Sequence, residues 1–99
     1  MKSQANVERL RAVSRVAFGQ THRLELMLAV LRIEDGVCTL TDLATLLDVP
    51  VSSLQRPFEA LVDLELIRPI PDGETRMRFY FRTPSAAWDW ARELAAGGE

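Results

Sequence analysis

The spacing of apolar residues changes once along this chain of 99 residues, and that change restricts the fold more than any other feature. Over residues 3–65 apolar side chains recur every three or four positions, which is typical of helices packed on a core. Over residues 66–83 apolar and polar residues alternate on both sides of Asp72 and Gly73, which is the pattern of a β-hairpin. No stretch has the strand–helix–strand order of a parallel sheet. We therefore predict a mostly α-helical domain with one small β-hairpin, of the α+β class.

The first two helices are predicted at residues 3–18 and at about residues 21–34. Gly19 separates them, because glycine readily takes the positive φ that ends a helix. The hydroxyl of Thr21 is expected to cap the second helix. Apolar residues surround this second helix on nearly every face, so we expect it at the centre of the core.

Three further helices are predicted at about residues 41–47, 52–65 and 85–95. Hydroxyl caps are expected at the starts of the first two, from Thr41 and from either Ser52 or Ser53. Pro57 falls inside the second of these helices. Proline has no N–H and crowds the preceding turn, so we expect a bend there or a later helix start.

Composition and charge exclude several classes of protein. Hydrophobic residues make up 47% of the chain and charged residues 26%, which excludes intrinsic disorder. No run approaches the roughly 20 apolar residues of a membrane span, and the charged N-terminal residues lack a secretory signal core. We therefore expect a cytoplasmic protein without a membrane partner.

The sequence carries no pattern of catalytic or metal-binding residues. One cysteine, Cys38, and one histidine, His22, cannot fill a zinc site by themselves. Glycine-rich phosphate loops, nucleophile elbows and zinc-protease motifs are absent. We predict no enzyme and no cofactor, with Cys38 a small core residue and His22 a surface residue near a helix cap.

The segment over residues 40–68 resembles a winged helix-turn-helix. A short helix with a Leu-x-x-Leu-Ala-x-x-Leu pattern leads through a turn to a helix that starts with two serines, and a Leu-Ile-Arg triplet precedes an arginine-rich hairpin. The matching residues are Leu40, Leu43, Ala44, Leu47, Val49, Ser52, Ser53, Leu61, Leu64, Leu66, Ile67 and Arg68. The spacing is most similar to that of ArsR-type bacterial regulators, with the multidrug-resistance-repressor type next. The resemblance covers roughly residues 21–83 and implies a helix-turn-helix at 41–65 and a wing at 66–83.

The sequence departs from the ArsR-type pattern at three places. Metal-sensing members carry a cysteine motif on the first helix of the helix-turn-helix, whereas residues 41–47 hold no cysteine, so no metal site is expected. Pro57 lies within the helix that would read DNA. Glu65 stands where glycine usually precedes the last hydrophobic pair.

The resemblance implies that the second helix of the motif enters the major groove of double-stranded DNA and that the wing lies along phosphates. Arginine can pair with guanine, glutamine with adenine, and serine with phosphates or base edges. The predicted DNA-binding residues are Ser52, Ser53, Gln55 and Arg56 on the helix and Arg68, Arg76, Arg78 and Arg82 on the wing. Glu59 can accept from cytosine, although simple exposure is the commoner reason for a glutamate there. A solvated helix face and a sheet with one wet face are the alternatives to DNA contact.

The segments at residues 1–20 and 84–99 are predicted to form dimerisation helices. Trp88 and Trp90 lie two positions apart and thus on different helix faces, so one ring can be core while the other faces outward. The predicted interface residues are Val7, Leu10, Val13, Trp88 and Trp90. A symmetric dimer would place its two reading helices about one duplex turn, roughly 34 Å, apart. Burial of both rings within their own subunit is the alternative.

These features together predict a homodimeric DNA-binding transcriptional regulator that represses by occluding a promoter. Two alternatives stay open. Residues 35–65 contain six carboxylates and one arginine, a net charge of −5, which favours a protein-binding winged helix. A regulator that senses a small-molecule effector between its terminal helices is the other alternative.

Overall fold

The computed structural model describes residues 4–71 and 78–97 of the chain. Within these ranges the elements are α1 Gln4–Phe18, α2 Arg23–Arg32, β1 Val37–Cys38, α3 Leu40–Leu47, α4 Val51–Asp63, β2 Ile67–Pro69, β3 Tyr80–Arg82 and α5 Ala86–Ala96. The predicted α+β class, mostly helical with a small antiparallel sheet, is confirmed. No helix in the described ranges is long and apolar enough to cross a membrane.

Helix α2 lies at the centre of the fold, as the sequence predicts. It packs against α1, α3, α4 and α5. Its largest fully buried side chains, Leu24, Leu26, Met27 and Val30, are at most 1% exposed. Burial of each such side chain contributes about 1.5–3 kcal/mol to the free energy of folding. This helix therefore organises the packing of the other four helices.

The start of α2 is held by Ser14 on α1, and the prediction of a Thr21 cap is wrong. His22 occupies the N-cap position and its side chain makes no capping bond. The buried hydroxyl of Ser14 donates to the carbonyl of Gln20 and accepts from the N–H of Leu24 at 3.0 Å. A hydroxyl from the neighbouring helix therefore satisfies an N–H that has no partner within α2.

Helix α3 begins one residue earlier than predicted. Thr39 is its N-cap, and the Thr39 hydroxyl accepts from the N–H of Asp42 at 3.0 Å, so Thr41 lies in the first turn. Asp48 ends the helix in the left-handed conformation, with φ of 58°. Aspartate tolerates this conformation better than most residues, and it turns the chain sharply toward α4.

Helix α4 also begins earlier than predicted. Its N-cap is Pro50, without a side-chain bond, so Ser52 and Ser53 lie in the first helical turn and neither is the cap. The helix continues through Pro57, whose ring is buried against the core. The expected later start is therefore wrong, and the apolar contact of the Pro57 ring offsets the backbone hydrogen bond that proline cannot make.

The three strands form one antiparallel sheet in the order β1-β3-β2. Strands β2 and β3 are the two arms of the predicted hairpin, and β1 pairs with the other edge of β3. Both hairpin strands span three residues and are shorter than predicted. The predicted Asp72 and Gly73 turn lies outside the described residues. Pro69 lies on an edge strand, where its missing N–H breaks no ladder bond between two strands.

The two faces of β3 are reversed from the predicted alternation. Tyr80 faces the helices and meets the Phe58 ring edge-on, with centroids 4.8 Å apart, whereas Phe81 is 38% exposed. Arg82 also points inward and is half-buried. The reversal follows from the surroundings, because the inward face offers an aromatic ring to Tyr80 and carbonyl acceptors to Arg82.

Two of the predicted dimer-interface residues belong to the core of the chain instead. Leu10 and Trp88 are each 4% exposed, and the Trp88 indole N–H donates to the Thr83 carbonyl at 2.8 Å. Helices α1 and α5 both pack on α2, and Leu10 and Trp88 belong to the core of buried residues. Val7 and Val13 are half-buried, and Trp90 remains 44% exposed.

Glu65 takes a left-handed conformation, with φ of 61°, at the position where the resemblance expects glycine. Replacing Glu65 with glycine is expected to stabilise the fold by about 0.5–1 kcal/mol, since the strain of a side chain there outweighs the extra freedom of unfolded glycine. The exposed ion pair with Arg68 that is lost contributes little. Thermal denaturation should show a midpoint roughly 4 °C higher.

The matched control for this variant is Asp63→Gly, two residues earlier, at the last residue of α4. Asp63 has a helical backbone, so glycine there is expected to lower stability by about 0.5–1 kcal/mol. A fall of similar size for both variants would show that Glu65 is not strained.

Candidate nucleic-acid interface

Helix α4 has one buried face and one polar face. Leu54, Phe58 and Leu61 are buried among the other elements. This apolar face fixes the rotation of the helix about its axis. The opposite face is exposed and carries Ser52, Gln55, Arg56, Glu59 and Asp63. The structure therefore exposes three of the predicted DNA-binding residues on one polar stripe, and Ser53 is half-buried at its border.

A groove of about 530 Å³ lies between α4, the start of α3 and the strand region that contains Arg78. Its lining residues are Thr39, Leu40, Thr41, Gln55, Phe58, Glu59, Arg78 and Tyr80. The fold thereby brings together Gln55 and Arg78, which the sequence analysis placed on separate parts of the interface. The groove also adds Thr39 and Thr41, which the sequence analysis considered only for helix capping or not at all.

Two of the arginines predicted to bind DNA have guanidinium groups without a bonding partner in the described residues. Arg56 on α4 and Arg78 beside β3 are both exposed. Within residues 4–71 and 78–97 neither forms an ion pair or a hydrogen bond. Their planar donor groups can therefore bind an outside acceptor without first breaking a contact with the part of the chain that the structure describes.

The remaining wing arginines differ from these two. Arg68 donates to the Glu65 carboxylate at 2.5 Å, but both side chains are more than half exposed. Such exposed pairs are weak, so a phosphate can displace Glu65 as the partner of Arg68. Arg76 lies outside the described residues.

Arg82 closes the end of α2. Its Nη1 donates to the carbonyl of Val30 at 2.8 Å and to that of Ile33 at 3.1 Å. The N–H groups of Ile33 and Gly36 also donate to these two carbonyls, so the half-buried guanidinium adds a second, charged hydrogen bond to each at the negative end of the helix. From the sequence, Arg82 is predicted to be a DNA-binding arginine of the wing, because the end of α2 that it contacts lies far away in the chain.

The surface around α4 carries more negative than positive charge. Residues 40–63 contain four carboxylates, Asp42, Asp48, Glu59 and Asp63, against the single Arg56. All of these side chains are exposed. Attraction of this region to a polyanion therefore rests on Arg56 and the neighbouring wing arginines, and the four carboxylates oppose it.

The thiol of Cys38 is unsuited to sensing. It is 2% exposed, and burial, with a smaller contribution from the Asp42 carboxylate, raises its pKa to about 11. At neutral pH the thiol is protonated, and the reactive thiolate is scarce. The geometry supports the role of a small core residue that the sequence predicted.

A buried charged cluster joins α1 to α2, and the sequence analysis did not find it. The Glu25 carboxylate accepts from Arg11 Nε at 2.6 Å and Arg11 Nη2 at 3.3 Å. The Nδ1 atom of His22 lies 2.6 Å from the same carboxylate. Glu25 is 4% exposed although it stands in an otherwise apolar run, and that position inside a core helix is the signal that could have identified it.

Comparison with known proteins places the fold. No protein-family model matches the sequence, and no curated protein matches it at a significant level. Solved structures do match. They include a mutant of MarR from E. coli complexed with operator DNA, RV1404 from Mycobacterium tuberculosis, and a "probable transcriptional regulator" from Pseudomonas aeruginosa.

The first match has a TM-score of 0.65 at 16% identity and covers 96% of this chain and 69% of MarR. The second has a TM-score of 0.60 at 22% identity and covers 90% and 59%, respectively. The third has a TM-score of 0.59 at 18% identity and covers 97% and 80%. The chain thus spans less than two thirds of RV1404.

These matches do not single out the ArsR type, which the sequence ranked first. The described residues have a winged-helix fold, with five helices and a small three-stranded antiparallel sheet.

Proposed function

We propose that this chain is a cytoplasmic, non-catalytic regulator of transcription that binds specific double-stranded DNA as a homodimer. The observation that carries the proposal is a pair of exposed guanidinium groups without a partner in the described residues, Arg56 on the polar stripe of α4 and Arg78 at the groove. A helix with an exposed polar stripe fits the major groove of DNA, and a neighbouring arginine can bind the phosphates at the edge of that DNA groove.

The likeness in fold to MarR supports this reading, because that protein was solved in complex with operator DNA. It also favours the multidrug-resistance-repressor type over the ArsR type, whose cysteine motif is missing from residues 41–47. Repression by promoter occlusion is the mechanism we propose, since a bound dimer needs no further activity to block polymerase.

The proposed dimer uses the outer surfaces of α1 and α5. Leu10 and Trp88 are buried within the subunit, which leaves Val7, Val13 and Trp90 from the predicted interface. The Trp90 ring meets the Phe18 ring edge-on, with the ring centroids 5.2 Å apart. Val16, two residues before Phe18, is 90% exposed. Burial of these side chains against a second copy would remove exposed apolar surface from water.

Selection of bound sequences from random duplexes at about 0.15 M salt tests both specificity and the dimer. A homodimer should enrich an inverted repeat whose half-sites are about 10 base pairs apart. Affinity for the enriched duplex should fall steeply as salt rises, because phosphate contacts release counterions. Arg56→Ala should weaken binding roughly 10-fold, as expected for loss of one base contact.

Arg32→Ala is the matched control for this experiment. Arg32 is an exposed arginine at the end of α2, outside the α4 stripe, the groove and the proposed dimer surface. Its removal subtracts the same charge as Arg56→Ala and should change DNA affinity much less. Absence of any enriched sequence, or equal losses for the two variants, would contradict specific DNA binding through α4.

A protein-binding winged helix is the second candidate. The acidic surface around α4 favours it, because four exposed carboxylates outnumber the single arginine on residues 40–63. This candidate predicts no enrichment of any duplex and retention of a basic protein partner that is lost when Asp42 and Asp48 are neutralised.

A further inference from the structure

Glu59 is a residue of the α4 stripe whose negative charge is unfavourable next to DNA. It is exposed, lines the groove beside Gln55, and lies across that groove from Arg78. Within the described ranges its carboxylate has neither a hydrogen bond nor an ion pair. A carboxylate brought against a polyanion raises the free energy of the complex unless it accepts hydrogen bonds from a base.

Only two groups in the major groove can donate such hydrogen bonds. They are the N4 amino group of cytosine and the N6 amino group of adenine. Adenine presents its N7 acceptor next to N6, and a carboxylate is repelled by that lone pair because it has only acceptor atoms. Cytosine presents its amino group without a neighbouring acceptor on the same base, so Glu59 is suited to cytosine.

Arg56 precedes Glu59 by three residues on the same exposed stripe. Side chains three positions apart on a helix have Cβ atoms about 5–6 Å apart. Successive base pairs are stacked about 3.4 Å apart, so the two side chains can reach neighbouring pairs. The preferred base for an arginine in the major groove is guanine, which it contacts through O6 and N7.

We propose that α4 reads two neighbouring G·C base pairs, with Arg56 bound to guanine and Glu59 bound to cytosine. This specificity rests on the proposed DNA-binding function. The acidic surface of the helix-turn-helix then serves discrimination, since a site that lacks cytosine at the Glu59 position leaves a carboxylate facing base acceptors without a donor.

The experiment repeats the duplex selection with the full chain and with Glu59→Gln. The parent protein should enrich adjacent guanine and cytosine in each half-site. It should prefer cytosine by roughly 5- to 150-fold in competition between duplexes that differ at that position. Glutamine matches the N6 and N7 atoms of adenine, so Glu59→Gln should shift the preference from cytosine to adenine and leave the neighbouring guanine selected.

Asp63→Asn is the matched control, because Asp63 is an exposed carboxylate one turn further along α4. Asp63 is the last residue of α4 and lies farther than Glu59 from the end that enters the groove, so this variant should strengthen binding to all duplexes about equally and leave base preference unchanged. Thermal denaturation of all three proteins verifies that they are folded at the assay temperature.

The possible outcomes separate the two proposals. If the parent protein enriches a site but Glu59→Gln strengthens binding uniformly, as Asp63→Asn does, the cytosine contact is wrong while the DNA-binding function stands. A site without adjacent guanine and cytosine would overturn the inference in the same way. If the parent protein enriches no sequence, the proposed function fails and the inference fails with it.

Discussion

Replacement of Arg82 with methionine is expected to destabilise the fold by about 2–3 kcal/mol and to leave the DNA affinity of the folded protein nearly unchanged. Methionine keeps the apolar stem but removes the guanidinium that binds the carbonyls of Val30 and Ile33. Hydrogen bonds from charged donors contribute about 1.5–3 kcal/mol, and the loss leaves each carbonyl with its backbone partner alone, the N–H of Ile33 or of Gly36. Thermal denaturation should show a midpoint lower by roughly 10–20 °C.

Arg78→Met is the matched variant, since Arg78 is an exposed arginine close to β3 that has no partner within the described residues. It should leave the denaturation midpoint within about 2 °C and weaken binding of the selected duplex roughly 5- to 10-fold. Arg82→Met should therefore lower thermal stability and spare DNA affinity, whereas Arg78→Met should lower DNA affinity and spare thermal stability. Loss of DNA affinity in Arg82→Met without loss of stability would show that the Arg82 contacts to α2 are not formed.

Substitution of Glu25 by alanine is expected to cost about 3–5 kcal/mol of stability. Glu25 is 4% exposed and binds both Arg11 and His22. Removal of one member of a buried charged cluster leaves the others without their partner in a region with little water. For a domain of this size the thermal midpoint should fall by more than about 12 °C, and the variant is expected to be partly unfolded at 37 °C.

Glu93→Ala on the exposed side of α5 is the control, and its midpoint should move by less than about 2 °C. The double variant Glu25→Met with Arg11→Met should recover part of the loss, because an apolar pair fills the same space without an unpaired charge. If Glu25→Ala and Glu93→Ala have equal midpoints, the buried cluster does not contribute to stability.

These stability effects define which arginines are available for function. Arg11 and Arg82 stabilise contacts of α2 with its neighbours, whereas Arg56 is exposed on α4 and Arg78 is exposed at the groove. The chain is rich in arginine on the wing, yet only part of that charge can face DNA. A count of basic residues therefore overestimates the positive potential of this interface.

The elements of the helix-turn-helix could be predicted from the sequence because their signals are local. The apolar spacing of α3 and α4 and the Pro50 break between them follow from neighbouring residues. The same holds for the polar stripe of α4, since a helix with one apolar face must present Gln55 and Arg56 on the other. The solvent exposure of those two side chains agrees with that expectation.

The helix starts were harder to predict because capping groups can come from outside the local pattern. Thr39, one residue before α3, accepts the bond that was assigned to Thr41. Ser14 from another helix bonds the start of α2 in place of Thr21. In each case several hydroxyls are near in sequence, and only the path of the backbone decides which one reaches the free N–H.

The sequence by itself determined the order of the elements, the central place of α2 and the polar face of α4, because these follow from the period of apolar residues along one segment. Only the tertiary structure decided the faces of β3, the burial of Leu10 and Trp88, and the capping role of Arg82. A strand of three residues can place either face inward with little local preference. The acceptors and rings offered by distant elements, here the end of α2 and Phe58, therefore select the orientation.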